Sequence, residues 1–203
     1  VMYPIYKFGT EEQRKKYLPR LASGELLGCF GLTEPDHGSN PSGMTTNYRD
    51  MGDHYVLNGA KMWISNSPKA DIAVVWAKNE EGRIHGLIVE RGMEGFSTPE
   101  THNKWSLRAS CTGELVFDNV KVPKENLIGT LNDGWTIAKY LLTHERQMIG
   151  GVGETDVRRE LHEIAKENLP LRDGTLADPI LRSEIAVQGM NDSIFETTIQ
   201  RIM

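Results

Sequence analysis

Between residues 29 and 123 the apolar residues of this chain fall in short runs rich in valine, isoleucine and aromatics, whereas on either side they recur at helical intervals. This change of period is the strongest constraint on the fold. Successive side chains alternate across a strand but return to one face of a helix every three to four residues. The runs are 54–58, 61–65, 72–78, 84–90 and 114–118. Turn signals separate them: Asn58-Gly59, Glu81-Gly82 and Arg91-Gly92. Asn58-Gly59 between two such runs is the clearest hairpin signal in the chain. Regularly spaced short strands predict a small antiparallel barrel or sandwich.

The flanks read differently. Residues 10–22 form a helical pattern that Thr10 can cap, with Gln13 where a capping-box partner belongs. Pro19 is expected to interrupt that helix and Ser23-Gly24 to close it. After Gly129 the strand signals stop. Trp135, Ile137, Ala138, Leu141, Leu142 and Ile149 lie at helical spacing over 134–149, and 154–168 and 178–202 continue in that style, Asp178-Pro179 being a good helix start. The expected class is therefore α+β: a central antiparallel β-domain (29–128), preceded by the end of a helical domain (1–28) and followed by the start of an all-α bundle (129–203). The opening Val1-Met2-Tyr3-Pro4 and the close at Gln200-Arg201-Ile202-Met203, inside a helical pattern, read as the two ends of a fragment.

Composition excludes several functions. A net charge of −5 with no basic block argues against nucleic acid, and Arg14-Lys15-Lys16 reads as a solvated helix face. Cys29 and Cys111 stand apart with no metal-ligand spacing, and the histidines show none either, so both cysteines read as buried thiols and no metal is expected. No run is long and apolar enough for a membrane span, and no signal peptide is visible.

Two segments carry chemistry. In Gly31-Leu32-Thr33-Glu34-Pro35-Asp36-His37-Gly38-Ser39 an extended entry meets a turn fixed by Pro35, a glycine that lets backbone approach a ligand, and two hydroxyls able to donate. A plain loop between a helix and a β-domain explains this almost as well. In Asn58-Gly59-Ala60-Lys61-Met62-Trp63-Ile64-Ser65-Asn66 the tryptophan lies in an alternating strand with Ser65 on its side. Taken alone, that strand favours a core tryptophan.

Together the two segments resemble the acyl-CoA dehydrogenase family, whose TEPxxGS and NGxKxWIS signatures stand here nearly intact. FGTEEQRKKYLPRLASGE (8–25), SLRASCTGELVFDNVKVP (106–123) and HERQMIG (144–150) extend the likeness over essentially the whole chain. The resemblance implies FAD as cofactor, with Phe30, Gly31, Leu32, Thr33, Gly38, Ser39, Trp63, Ile64 and Ser65 around it. It also implies an acyl-CoA substrate touched by Ser39 and Arg146, and α,β-dehydrogenation in which a carboxylate removes the α-proton while the β-carbon yields hydride to the flavin. In most of the family that base lies on a late C-terminal helix. In the isovaleryl and long-chain branches it directly precedes an arginine on the first helix after the β-domain, which here is Glu145-Arg146. Glu145 is thus a candidate base, and a plain helix-face glutamate is the equal alternative. Arg108 could face the ligand, although anchoring a loop suits it better. The segments at 30–44, 63–78, 88–99 and 104–110 are most similar to the glutaryl-CoA branch, while 134–153 is more like another branch. The resemblance further implies an electron-transfer flavoprotein as acceptor, a homodimer or homotetramer, and residence in a bacterial cytoplasm or a mitochondrial matrix. An oxidase of the same fold and an inert fragment are the competing readings.

Overall fold

The computed structural model describes residues 1–131, 134–150 and 161–202, with the backbone alone for 146–150 and 202. The chain forms two compact units, Val1–Gln147 and Met148–Met203.

The first unit opens with helices α1 (Met2–Phe8) and α2 (Glu11–Ala22). The expected capping box is present: Thr10 Oγ1 accepts from the Gln13 backbone N–H at 3.2 Å, and the Gln13 side chain accepts from the Thr10 N–H at 3.1 Å. Pro19 does not interrupt α2. The helix runs through it to Ala22 and the Ser23 N–H donates to the Pro19 carbonyl at 3.0 Å, so the proline costs one amide donor without ending the helix.

The strands follow: β1 (Gly28–Gly31), β2 (Asn47–Asp50), β3 (His54–Ser65), β4 (Ile72–Lys78), β5 (Ile84–Glu90), β6 (Phe96–Ser97), β7 (Thr112–Pro123) and β8 (Leu127–Ile128). They form one sheet in the order β6-β7-β3-β2-β4-β5-β8, with β1 paired to β4. Most pairings are antiparallel; β1–β4 and the single-residue β2–β4 contact are parallel. Tyr48, Leu57, Val75, Leu87, Leu115, Phe117 and Val122, drawn from five strands, meet in one buried cluster, so the sheet curls around its own core. Six of the seven positions in each of β4 and β5 are buried because both of their faces are covered. Beyond the sheet, Ile5 and Tyr17 pack against Ile72, Val74 and Ile88. Ile137, Ala138 and Leu141 of α3 (Gly134–Gly150) pack with Trp76.

The Asn58-Gly59 hairpin is not formed. The runs 54–58 and 61–65 are one strand, β3, with a register shift against β7 between Leu57 and Gly59. Gly59 takes φ +130°, and a Cβ there would lie 2.7 Å from the Thr46 backbone. The glycine that suggested a turn instead lets a long strand bulge past its neighbour. The turns of this unit fall elsewhere, as at Asn79–Arg83 between β4 and β5, with Gly82 at φ +76°.

The second unit contains α4 (Leu161–Asn168), a small hairpin of β9 (Leu171–Arg172) and β10 (Thr175–Leu176), and α5 (Pro179–Ile202). Asp173 and Gly174, both at positive φ, make the two-residue turn. Asp178 caps α5 as expected, its carboxylate accepting from the Ile180 and Leu181 N–H groups at 2.8 and 3.1 Å. Of the helix expected over 154–168, the part before Leu161 lies outside the described residues. No described helix is long and apolar enough to cross a membrane.

Candidate flavin and thioester site

The loop after β1 and the end of β3 are joined from inside. Glu34 and Lys61 are both buried and pair at 2.8 Å. The Glu34 carboxylate also accepts from the Thr45 N–H at 2.7 Å, the Thr45 hydroxyl at 3.0 Å and the Thr46 N–H at 3.0 Å. Lys61 Nζ donates in addition to the Leu32 carbonyl at 3.1 Å, and the Met62 N–H donates to the Thr33 carbonyl at 2.9 Å. Burial by itself would raise the Glu34 pKa; the hydrogen bonds from Lys61, Thr45 and Thr46 overcome it and hold the carboxyl well below its ordinary range. Burial lowers the Lys61 pKa, and Glu34 only partly offsets this. Reciprocal backbone hydrogen bonds between Glu34 and His37 close the turn around Pro35.

On the outer side of this junction lies a cavity of about 610 Å³, well within the size range of small-molecule sites. It is lined by Phe30, Leu32, Thr33, Gly38 and Ser39 from one segment, Trp63, Ile64, Ser65 and Asn66 from the other, and Leu142 and Glu145 of α3, among others. The two sequence-picked segments are therefore two walls of one space.

Trp63 departs from the core position that the strand alone favours. It is 59% exposed and lies on the cavity wall. Lys61 pairs with Leu115 but Ile64 with Gly113, so β3 holds one extra residue there. Trp63 adopts φ +62°, a left-handed conformation that costs a bulky residue about 1–2 kcal/mol. Ser65 is exposed on the same wall, as expected.

Of the other expected site residues, Gly31 does not line the cavity. A Cβ on it would sit 2.7 Å from Leu115 Cδ1 and 3.3 Å from Lys61 Cγ, so it makes room for the core beneath the site. Gly38 has no protein atom within 4 Å of an added Cβ; neither its φ nor local packing calls for glycine. The Arg146 side chain lies outside the described residues. Arg108 is away from the cavity and donates to the Lys104 carbonyl at 3.0 Å, anchoring its own loop. Cys29 is buried and Cys111 half-buried, and burial pushes the Cys29 thiol up to about 12. His85 is buried and bonded to Tyr48 at 2.8 Å, while His144 is bonded to Tyr3 at 3.1 Å.

Sequence reasoning gave no role to Glu34 or Lys61, although both stand inside the two motifs. The available signal was one acidic and one basic residue, each standing inside one of the two paired motifs.

The space suits a flat aromatic cofactor with polar attachments. Phe30, Leu32, Ile64 and Leu142 supply apolar wall and Trp63 an indole. The hydroxyls of Thr33, Ser39 and Ser65 have no protein hydrogen-bond partner among the described residues, leaving them available as donors.

Residues 29–120 match the acyl-CoA dehydrogenase middle domain and residues 1–25 the N-terminal domain of the same family. A glutaryl-CoA dehydrogenase of Desulfococcus multivorans is 43% identical over 158 residues, covering 74% of this chain and 40% of that protein. The crystal structure of a glutaryl-CoA dehydrogenase from Mycobacterium smegmatis in complex with FADH2 is 48% identical with a TM-score of 0.67, over 70% of this chain and 36% of that one. An acyl-CoA dehydrogenase from Geobacillus kaustophilus superposes over 100% of this chain and 56% of its own, with a TM-score of 0.80 at 30% identity. The chain thus spans roughly two fifths of the length of the D. multivorans relative.

Proposed function

The chain belongs to the acyl-CoA dehydrogenase family, and from that premise we propose that it is the flavin- and thioester-binding part of an enzyme that removes the α- and β-hydrogens of an acyl-CoA. The observation that carries this is the meeting of Thr33 and Trp63 around one cavity that Glu145 also lines. Residues 1–28 then belong to an N-terminal helical domain, 29–128 to the β-domain, and 129–203 to the start of a C-terminal helical domain.

Phe30, Leu32, Thr33, Gly38, Ser39, Trp63, Ile64 and Ser65 would hold FAD, with Gly31 giving the core the room that keeps the first wall in place. When bound, FAD supplies the acceptor for the hydride leaving the β-carbon. The protein's part is to exclude water with the apolar wall, to donate from the hydroxyls, and to take the α-proton. That proton is only weakly acidic in a thioester, so a positioned base is needed. Glu145 is the candidate base because it lines the same cavity; Ser39 and Arg146 are the candidate acyl-CoA contacts. Glutaryl-CoA is the leading substrate, supported by the glutaryl-CoA dehydrogenases among the similar proteins. An electron-transfer flavoprotein as acceptor, a homo-oligomeric assembly, and a bacterial cytoplasmic or mitochondrial matrix setting complete the reading.

The test is direct. The complete protein, purified with added FAD, is expected to be yellow, and anaerobic glutaryl-CoA is expected to bleach the flavin. Glu145→Gln should keep the colour and lose the bleaching. A colourless protein sinks the flavin reading, and normal bleaching in Glu145→Gln moves the base elsewhere.

A further inference from the structure

We propose that Lys61 and Glu34 are positioning residues, whose buried pair sets the phase of β3 so that its bulge turns Trp63 outward into the cavity. In an unbroken strand residues 61 and 63 share a face. Here Lys61 and Ile64 both point inward, three residues apart, against a two-residue step from Leu115 to Gly113 on β7. Only a bulge at Met62-Trp63 reconciles those two inward positions, and the outward indole is its consequence.

The force holding Lys61 inward is visible. A buried ammonium must have acceptors, and the acceptors are Glu34 at 2.8 Å and the Leu32 carbonyl at 3.1 Å. Glu34 is itself fixed by three donors from Thr45 and Thr46. Gly31 leaves room for the lysine stem. The adjoining Thr33 carbonyl takes the Met62 N–H, at the first residue of the bulge. Replacing a buried ion pair by well-packed hydrophobic residues of similar volume is often close to neutral for stability, so stability alone gives a weak reason for this pair. Orientation of the neighbouring indole gives a specific one. The inference rests on the flavin reading only for what the cavity holds; the direction of Trp63 is independent of it.

The double variant Lys61→Met/Glu34→Gln removes both charges while the glutamine oxygen can still accept from the Thr45 N–H and hydroxyl, which share one carboxylate oxygen; the Thr46 N–H, bound to the other, loses its acceptor. Each background is also made with Trp63→Phe, so that the difference isolates Trp63 fluorescence. In the complete protein the double variant is expected to fold, to lose most of the iodide quenching of Trp63, and to bind FAD at least about tenfold more weakly. Deleting Met62 in that background restores regular alternation with Trp63 outward, and should recover quenching without the ion pair. Full quenching in the folded double variant overturns the proposal. If the double variant does not fold, the Met62 deletion decides: recovery of folded protein with accessible Trp63 supports the proposal, and no recovery overturns it. Should the wild-type protein fail to bind FAD, the functional reading falls, while iodide quenching still judges the positioning role.

Discussion

Strands β3 and β4 belong to one sheet and follow opposite rules. β4 is a seven-residue apolar run with unbroken register to β5, buried at every position but its last. β3 is twelve residues long, shifts register twice, carries a fully buried lysine and presents a tryptophan to the outside at positive φ. The regular strand is what a stable core requires. The irregular one contains features that each cost stability, and the strained tryptophan and the second register shift lie where the cavity is. Local violations of folding rules persist when the surrounding structure over-determines them, which is why they mark sites. The contrast teaches where to cut if one wishes to damage folding and function separately.

The largest effect is expected on the regular side. Leu87 of β5 is fully buried in the core cluster, and Leu87→Ala should lower unfolding free energy by about 2–5 kcal/mol, read by urea denaturation. A loss below that range would mean the core is looser than its burial indicates. On the irregular side, Trp63→Ala should change stability by less than about 1 kcal/mol, because the indole is largely exposed and its backbone strained. The same variant should nonetheless weaken FAD binding about tenfold or more. Unchanged flavin content would detach Trp63 from the cofactor and erase the contrast.

A pH series sharpens the comparison further. Glu34 has a folded pKa of about 2 against an ordinary 4.5, as the hydrogen bonds from Lys61, Thr45 and Thr46 overcome the opposing effect of burial. A depressed carboxyl stabilises the fold above its unfolded pKa, and that contribution is lost as pH falls from about 4.5 towards 2. Wild-type protein should therefore lose stability more steeply across that window than Glu34→Gln, as followed by denaturant midpoints at each pH. Parallel curves would mean Glu34 contributes no acid sensitivity. The smallest effect is expected at Gly38, where an added methyl meets no protein atom. Gly38→Ala should leave the melting temperature unchanged and reduce FAD affinity a few-fold, measured by fluorescence titration. An affinity equal to wild type would leave Gly38 as plain loop.

Much of this molecule was legible from its residues. The Thr10–Gln13 capping box, the Asp178 cap and the spans of β4 and β5 depend on neighbours in sequence, and the structure has each of them. The two motif segments were legible as candidate walls only through their resemblance to a family, since local chemistry alone read them as a loop and a core strand. The failures have a common cause. Asn58-Gly59 carries the signal of a tight turn, yet Thr46 packs against Gly59 and β7 pairs on both sides of it, so the strand continues. Strand β1 went unread because its partner in the parallel pairing, β4, lies some forty residues further along the chain.

Sequence by itself determined which segments are helix or strand wherever period and caps agree, and its resemblance to a family named the candidate residues for a flavin and a thioester. Tertiary structure alone decided which way Trp63 points, that Gly31 serves the core rather than the wall, and that Glu34 and Lys61 hold the walls together. The reason is physical: alternation fixes a side chain's face only until a bulge shifts the phase, and here the shift is set by a buried charge pair linking residues 27 positions apart.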